Sequence, residues 1–89
     1  MNYTKGEWKK RKVNSYGKEW FEINYSSYGE CVAEVVHNEA DADLFAAAPD
    51  MYEALKRMVN FINAQELEYQ SSMVIQLKSA LAKAEGKTI

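Results

Sequence analysis

Four consecutive basic residues, Lys9-Lys10-Arg11-Lys12, lie between two tryptophans, Trp8 and Trp20, near the start of an 89-residue chain. Cations that meet phosphate oxygens, and aromatic faces that stack on bases, are the residue types with which proteins hold nucleotides. Lys10 and Arg11 are therefore candidate phosphate contacts, and Trp8 and Trp20 are candidate stacking platforms. The same basic run also suits an exposed edge strand whose lysines discourage edge-to-edge pairing. Seven aromatics, Tyr3, Trp8, Tyr16, Trp20, Phe21, Tyr25 and Tyr28, crowd into the first 28 residues. That is more than a small core requires, so one or two are available for a ligand while most serve the core or subunit contacts.

Groups that could do catalysis do not gather in this way. His37 is the single histidine, and no cysteine or serine stands at a spacing that would make it a general base. It reads as structural or solvent-exposed. Glu39, Asp41 and Asp43 could form a carboxylate cluster, but negative charge at the positive end of a helix explains them more simply. No GxGxxG or GxxxxGKS/T phosphate loop occurs. Cys31 stands alone, so no intramolecular disulfide can form, and no CxxC or His/Cys cluster suggests a metal. The sequence thus predicts a non-enzymatic protein with no catalytic residue, no cofactor and no metal site.

Composition sets further bounds. Of the residues, 47% are apolar and 12% aromatic, which marks a folding chain. A single domain is expected over residues 1–89, with a strand-rich part at 1–37 and a helical part at 38–86. A chain of this size buries only about 60–65% of the surface its unfolded form exposes. Ample apolar surface in so small a domain favours self-association, at least to a homodimer. The net charge of −2 divides into +1 over residues 1–37 and −3 over residues 38–89. One short basic run is too little for a general nucleic-acid binder. The start, MNYTKGEWKKRK, lacks the apolar core of a signal peptide, and no stretch approaches the about 20 apolar residues of a membrane span. No membrane partner and a cytoplasmic location are expected.

The elements that must position these residues follow from periodicity. Alternation predicts strands at Trp8 to Val13, Trp20 to Tyr25 and Cys31 to Val36, joined by loops around Gly17 and Gly29. In the second strand Phe21, Ile23 and Tyr25 share one face, and Trp20, Glu22 and Asn24 the other. In the third, Cys31, Ala33 and Val35 oppose Val32, Glu34 and Val36. Three short strands with tight loops imply an antiparallel meander, one face of which helices should cover. From Asn38, a favourable N-cap, the period becomes helical. A short helix is expected over Glu39 to Ala47, ended by Pro49, which then opens a second helix beside Asp50. The corner between them would be lined by Ala46, Ala47 and Ala48. The second helix carries the stripe Met51, Tyr52, Leu55, Met58, Val59 and Ile62. A third, roughly Glu66 to Glu85, carries Met73, Leu77, Ala80, Leu81 and Ala84, with Gly86 as its C-terminal cap. The fold class is α+β: a three-stranded antiparallel meander, a short helix, a proline corner and a helical hairpin. Met51, Tyr52, Leu55, Met58, Val59, Ile62, Leu77 and Leu81 are the candidate interface of the homodimer.

Two segments resemble a known family. Tyr3-Thr4-Lys5-Gly6-Glu7-Trp8 resembles a T-x-G-x-W signature. Ala40 to Leu55, ADADLFAAAPDMYEAL, resembles the A-N-A-x-L-I-A-A-A-P-D/E-L-L-E-A-L segment of many small bacteriophage proteins. The tail from Ala80 to Gly86 is similar to their usual ending. Among proteins with this pattern are phage sponges that counter Thoeris defence: they bind the host's cyclic ADP-ribose-type signal without cleaving it, and related assemblies hold cyclic oligonucleotides. The resemblance implies an anti-defence protein in the cytoplasm of a host bacterial cell, with a cyclic nucleotide signal as its partner. It also implies a ligand contact at Asp41, which stands where the segment usually has Asn; Asp43 stands at a position that is often basic. A second reading rests on the charge of the helical half. Its acidic surface, with Glu39, Asp41, Asp43 and Asp50 close together, could occlude a basic surface of a host nuclease or defence complex.

Overall fold

A computed structural model describes residues 3–26, 29–65 and 72–87. Three antiparallel strands, β1 (Lys9–Ser15), β2 (Lys18–Asn24) and β3 (Cys31–Val36), pair in the order β1-β2-β3. Two helices follow, α1 (Glu39–Ala64) and α2 (Ser72–Ala84). This is the α+β meander with helices that the sequence predicts. Pairing of Ser15 with Lys18 leaves a two-residue loop, Tyr16-Gly17, with φ values of 51° and 76°. Positive φ at both loop positions gives the primed turn whose twist matches that of the flanking strands. Gly17 takes that geometry without penalty, whereas Tyr16 adopts it with its side chain wholly in solvent.

Alternation along β2 puts Phe21 and Ile23 on one face, and both are buried, Ile23 completely. They form a core cluster with Ala42 of α1, flanked by Trp8, Val32, Ala33, Val36 and Ala46. Strict alternation does not hold in β3. Phe21 pairs with Val36 and Ile23 with Ala33, with a register shift between them, so Ala33 and Val36 serve the same core where two-residue periodicity sets them on opposite faces. A bulge resolves the conflict, because an extra residue in one strand flips the phase of every side chain beyond it.

The proline corner is not formed. Pro49 lies inside α1, a single helix of 26 residues, so the short first helix and the second helix are one. Proline removes the donor that would meet the Phe45 carbonyl, yet its fixed φ is helical. A new helix starting at Pro49 would need Ala48 as its N-cap, and alanine is among the poorest caps. Continuation also keeps Ala46, Ala47 and Ala48 in the conformation that alanine most favours. The helix begins where Asn38 predicts: the Asp41 amide donates to Asn38 Oδ1 at 3.2 Å. At its other end α2 closes on Gly86, with φ of 77°, the Gly86 amide donating to the Lys83 carbonyl and the Lys87 amide to that of Ala82. This is the glycine-terminated double hydrogen bond of a Schellman cap. The start of the predicted third helix, Glu66 to Ser71, and Tyr28 lie outside the described residues.

The chain divides into two compact units, Asn2–Pro49 and Asp50–Ile89. In the second, the predicted apolar stripe splits. Tyr52, Val59 and Ile62 are buried with Val74, and Leu55, Leu77 and Leu81 are half-buried. Met51 and Met58, one position earlier than Tyr52 and Val59 and so about 100° round the helix, stay exposed. The Tyr52 hydroxyl donates to the Glu85 carboxylate at 2.9 Å, which ties α1 to the end of α2.

Candidate functional site: the basic strand and its groove

The T-x-G-x-W segment is a structural clasp. Gly6 has φ of +119°, and a Cβ placed on it would stand 2.7 Å from the Tyr25 carbonyl oxygen, so only glycine fits there. Trp8 Nε1 donates back to the Thr4 carbonyl at 3.0 Å. Its ring meets Phe45 of α1 at a centroid distance of 5.7 Å and Tyr3 edge-on at 6.3 Å. Trp8 therefore has its aromatic face engaged in holding the chain's start against α1, and it does not join the other candidate ligand residues.

Register separates the cations. Lys10 pairs with Ile23, so it shares the α1-facing side of the sheet, whereas Lys9 and Arg11 pair with Asn24 and Glu22 on the opposite side. Lys10 Nζ reaches Asp43 at 2.6 Å and Glu39 at 2.9 Å. Those two hydrogen bonds, Asp43 first, raise its pKa above the ordinary value of 10.5, so it is a fixed cation. Two of the three acidic residues in the opening turns of α1 are thus partners of Lys10. The third, Asp41, is exposed and lies away from Arg11 and Trp20. Arg11 Nε donates to Glu22 at 2.9 Å across the hairpin, and Lys12 lies 3.3 Å from Glu19. Lys9 is the loosest of the four, 3.9 Å from Glu7.

Arg11 and Trp20 share one face of the hairpin. Trp20 is half-buried opposite Val13, one pleat from the Arg11–Glu22 pair and on the same face. A groove of about 390 Å³ is lined by Glu7, Lys9, Lys10, Arg11, Asn24, Tyr25 and Ser26; Trp20 is not among its lining residues and lies one pleat beyond the Arg11–Glu22 pair. Its lining offers cations for an anion, a carboxylate and an amide for ribose hydroxyls, and two hydroxyls. The Tyr25 hydroxyl donates to the Glu30 carboxylate, and this bond raises its pKa above 10.0, so it remains a neutral phenol. Asn24, Tyr25 and Ser26 are lining residues that pattern reading misses. The signal was their place at the end of β2, which antiparallel pairing must bring to the start of β1.

The thiol of Cys31 is drawn to Asn24, Glu22 and the Gly29 carbonyl at 3.2–3.5 Å. Burial, and then the hydrogen bond to Glu22, push its pKa up from 9.0, which holds it as a weakly nucleophilic thiol. His37 is exposed. Among the described residues no group of three or more His, Cys, Asp or Glu could hold a metal ion, and no helix is long and apolar enough to cross a membrane.

Sequence comparison matches residues 1–88 to the family of Salmonella phage P22 protein Y8K6. The chain belongs to this phage protein family. Neither a curated protein nor a solved structure matches it.

Proposed function

We propose that this phage-family protein is a non-enzymatic binder that sequesters a cyclic nucleotide immune signal on the β1–β2 face of its sheet. The observation that carries the reading is that Lys9 and Arg11 line the polar groove and share their face of the hairpin with Trp20, one pleat beyond the Arg11–Glu22 pair. A base stacks on Trp20, a sequence-tolerant contact worth about 1–3 kcal/mol. Phosphates take Arg11 and Lys9, displacing Glu22 and Glu7 as their partners. The Asn24 amide and the Tyr25 and Ser26 hydroxyls supply neutral hydrogen bonds to the sugar. The ligand class, of the cyclic ADP-ribose or cyclic oligonucleotide type, is supported by the resemblance of the two sequence segments to phage signal sponges. The cell this implies is the cytoplasm of a host bacterium.

Calorimetry against cyclic ADP-ribose isomers and cyclic di- and trinucleotides tests the reading. Binding to one of them in the micromolar range, weakened about tenfold or more by Trp20→Ala and by Arg11→Glu and recovered intact from the protein, is the expected result. Heat flat to high micromolar concentrations for every compound, or turnover of the nucleotide, overturns it.

A second reading has its own observation. Leu44 is 62% exposed on α1, one helical turn from the exposed carboxylate of Asp41. An apolar anchor beside negative charge suits a basic protein surface, such as that of a host nuclease or defence complex. Pull-down from host lysate that yields a stoichiometric protein, lost with Leu44→Lys, supports this reading over the first.

A further inference from the structure

Along α1 after Asp50, a second apolar stripe runs beside the buried one. Met51, Met58 and Phe61 are 46%, 50% and 57% exposed, and Ala54 falls between them in the 3-4-3 spacing of a helix–helix seam. Ala54, Arg57, Met58 and Phe61 line a shallow groove of about 520 Å³. The acid and the base that edge this stripe are placed in a particular way. Asp50 immediately precedes Met51 and Arg57 immediately precedes Met58, so both stand on the same flank, two turns apart. Neither has an ion-pair partner among the described residues.

We propose that this stripe is the seam of a two-fold homodimer in which two α1 helices pack antiparallel, each Asp50 facing the partner's Arg57. Antiparallel helices bring like flanks together, so the Asp50–Arg57 pair forms twice about the two-fold axis. In that register Met51 meets the partner's Ala54 and Ala54 the partner's Met51, large against small. Met58 and Phe61 continue the seam along the partner's α1. A parallel pair would instead set this flank against the one carrying Leu55 and Ile62, which leaves both charges without partners. The charges therefore select a second copy, in one orientation, as the occupant. The inference does not depend on the ligand groove, which lies on the sheet.

Sedimentation equilibrium of the full chain under reducing conditions tests it. The wild type is expected to be dimeric at tens of micromolar. Arg57→Asp sets two acids against each other and should weaken dimerisation about tenfold or more. Met58→Lys should give a monomer whose far-UV circular dichroism matches that of the wild type, because an exposed position tolerates lysine. The decisive variant is the exchange Asp50→Arg with Arg57→Asp, which restores the pairing with its polarity reversed and should recover the dimer. A monomeric wild type, a dimer indifferent to Arg57→Asp and Met58→Lys, or an exchange that fails to restore association each overturns the proposal.

Discussion

The sheet-side unit, residues 2–49, and the helical unit, residues 50–89, solve the same problem differently. In the first, a fully buried Ile23 sits with Phe21 and Ala42, and each of the four consecutive cations finds an acid. In the second, the core is a narrow strip of Tyr52, Val59, Ile62 and Val74, while Met51, Met58, Phe61, Met73 and Ile75 face solvent. A sheet can enclose residues from three strands under one helix, whereas two helices bury only the stripe between them. The difference teaches where each unit has surface to spare. In the first, the charges concentrate on β1 and β2, beside the scattered exposed side chains of Tyr16, Val35 and Leu44. After Asp50, by contrast, the exposed apolar side chains of α1 form a continuous stripe. A small-molecule site fits the former and a subunit seam the latter.

The largest effect that would sharpen this contrast is truncation of the two kinds of apolar residue. Ile23→Ala removes a completely buried side chain from a closed core and should cost about 2–5 kcal/mol. Met58→Ala, assayed in dilute protein, should change stability by less than about 0.5 kcal/mol, because the methionine is half exposed. Urea denaturation measures both. Comparable losses at the two sites would erase the distinction. Next in size is Pro49→Ala at the boundary between the units. Restoring the donor towards the Phe45 carbonyl should gain about 2 kcal/mol: about 3 from helix propensity, less about 1 from the freer unfolded chain. A loss of stability on this substitution would favour the corner over the continuous helix.

The smallest effect concerns the polar tie of the helical unit. The hydrogen bond from Tyr52, foremost, holds the Glu85 carboxyl below its ordinary value of 4.5. A depressed folded-state pKa contributes stability above the unfolded value and loses it as pH falls through the folded one. Stability should therefore decline below about pH 4.5 in part through this pair, and Tyr52→Phe should flatten that acid limb of the urea-midpoint profile. The same bond raises the Tyr52 phenol above 10.0, so its contribution is present below that value and fades only in strong alkali.

Most of the architecture was legible because its signals are local. Alternation marked β2 with its two faces, Asn38 and Gly86 marked helix ends, and Gly17 marked the hairpin. The misreadings are instructive for the same reason. Pro49 is a local breaker overruled by the absence of a cap at Ala48 and by three helix-favouring alanines, a comparison between alternatives that a single residue does not display. The β3 bulge depends on what Phe21 and Ile23 require across the sheet, which lies in the partner strand. At the site, the register of the hairpin puts Arg11 and Trp20 on one face. Trp8 and Lys10 have other partners in Phe45 and Asp43, both more than thirty positions away in sequence, which no spacing rule reaches.

The claim that the basic strand is a ligand face is tested most directly by two-dimensional NMR of the nitrogen-15-labelled protein titrated with the same set of cyclic nucleotides. Binding at the proposed place shifts the amides of Lys9, Arg11, Asn24, Tyr25 and Ser26 and the indole of Trp20, and leaves α2 and the Met51–Phe61 stripe unmoved. A spectrum unchanged at high micromolar ligand, or shifts confined to that helical stripe, would contradict it.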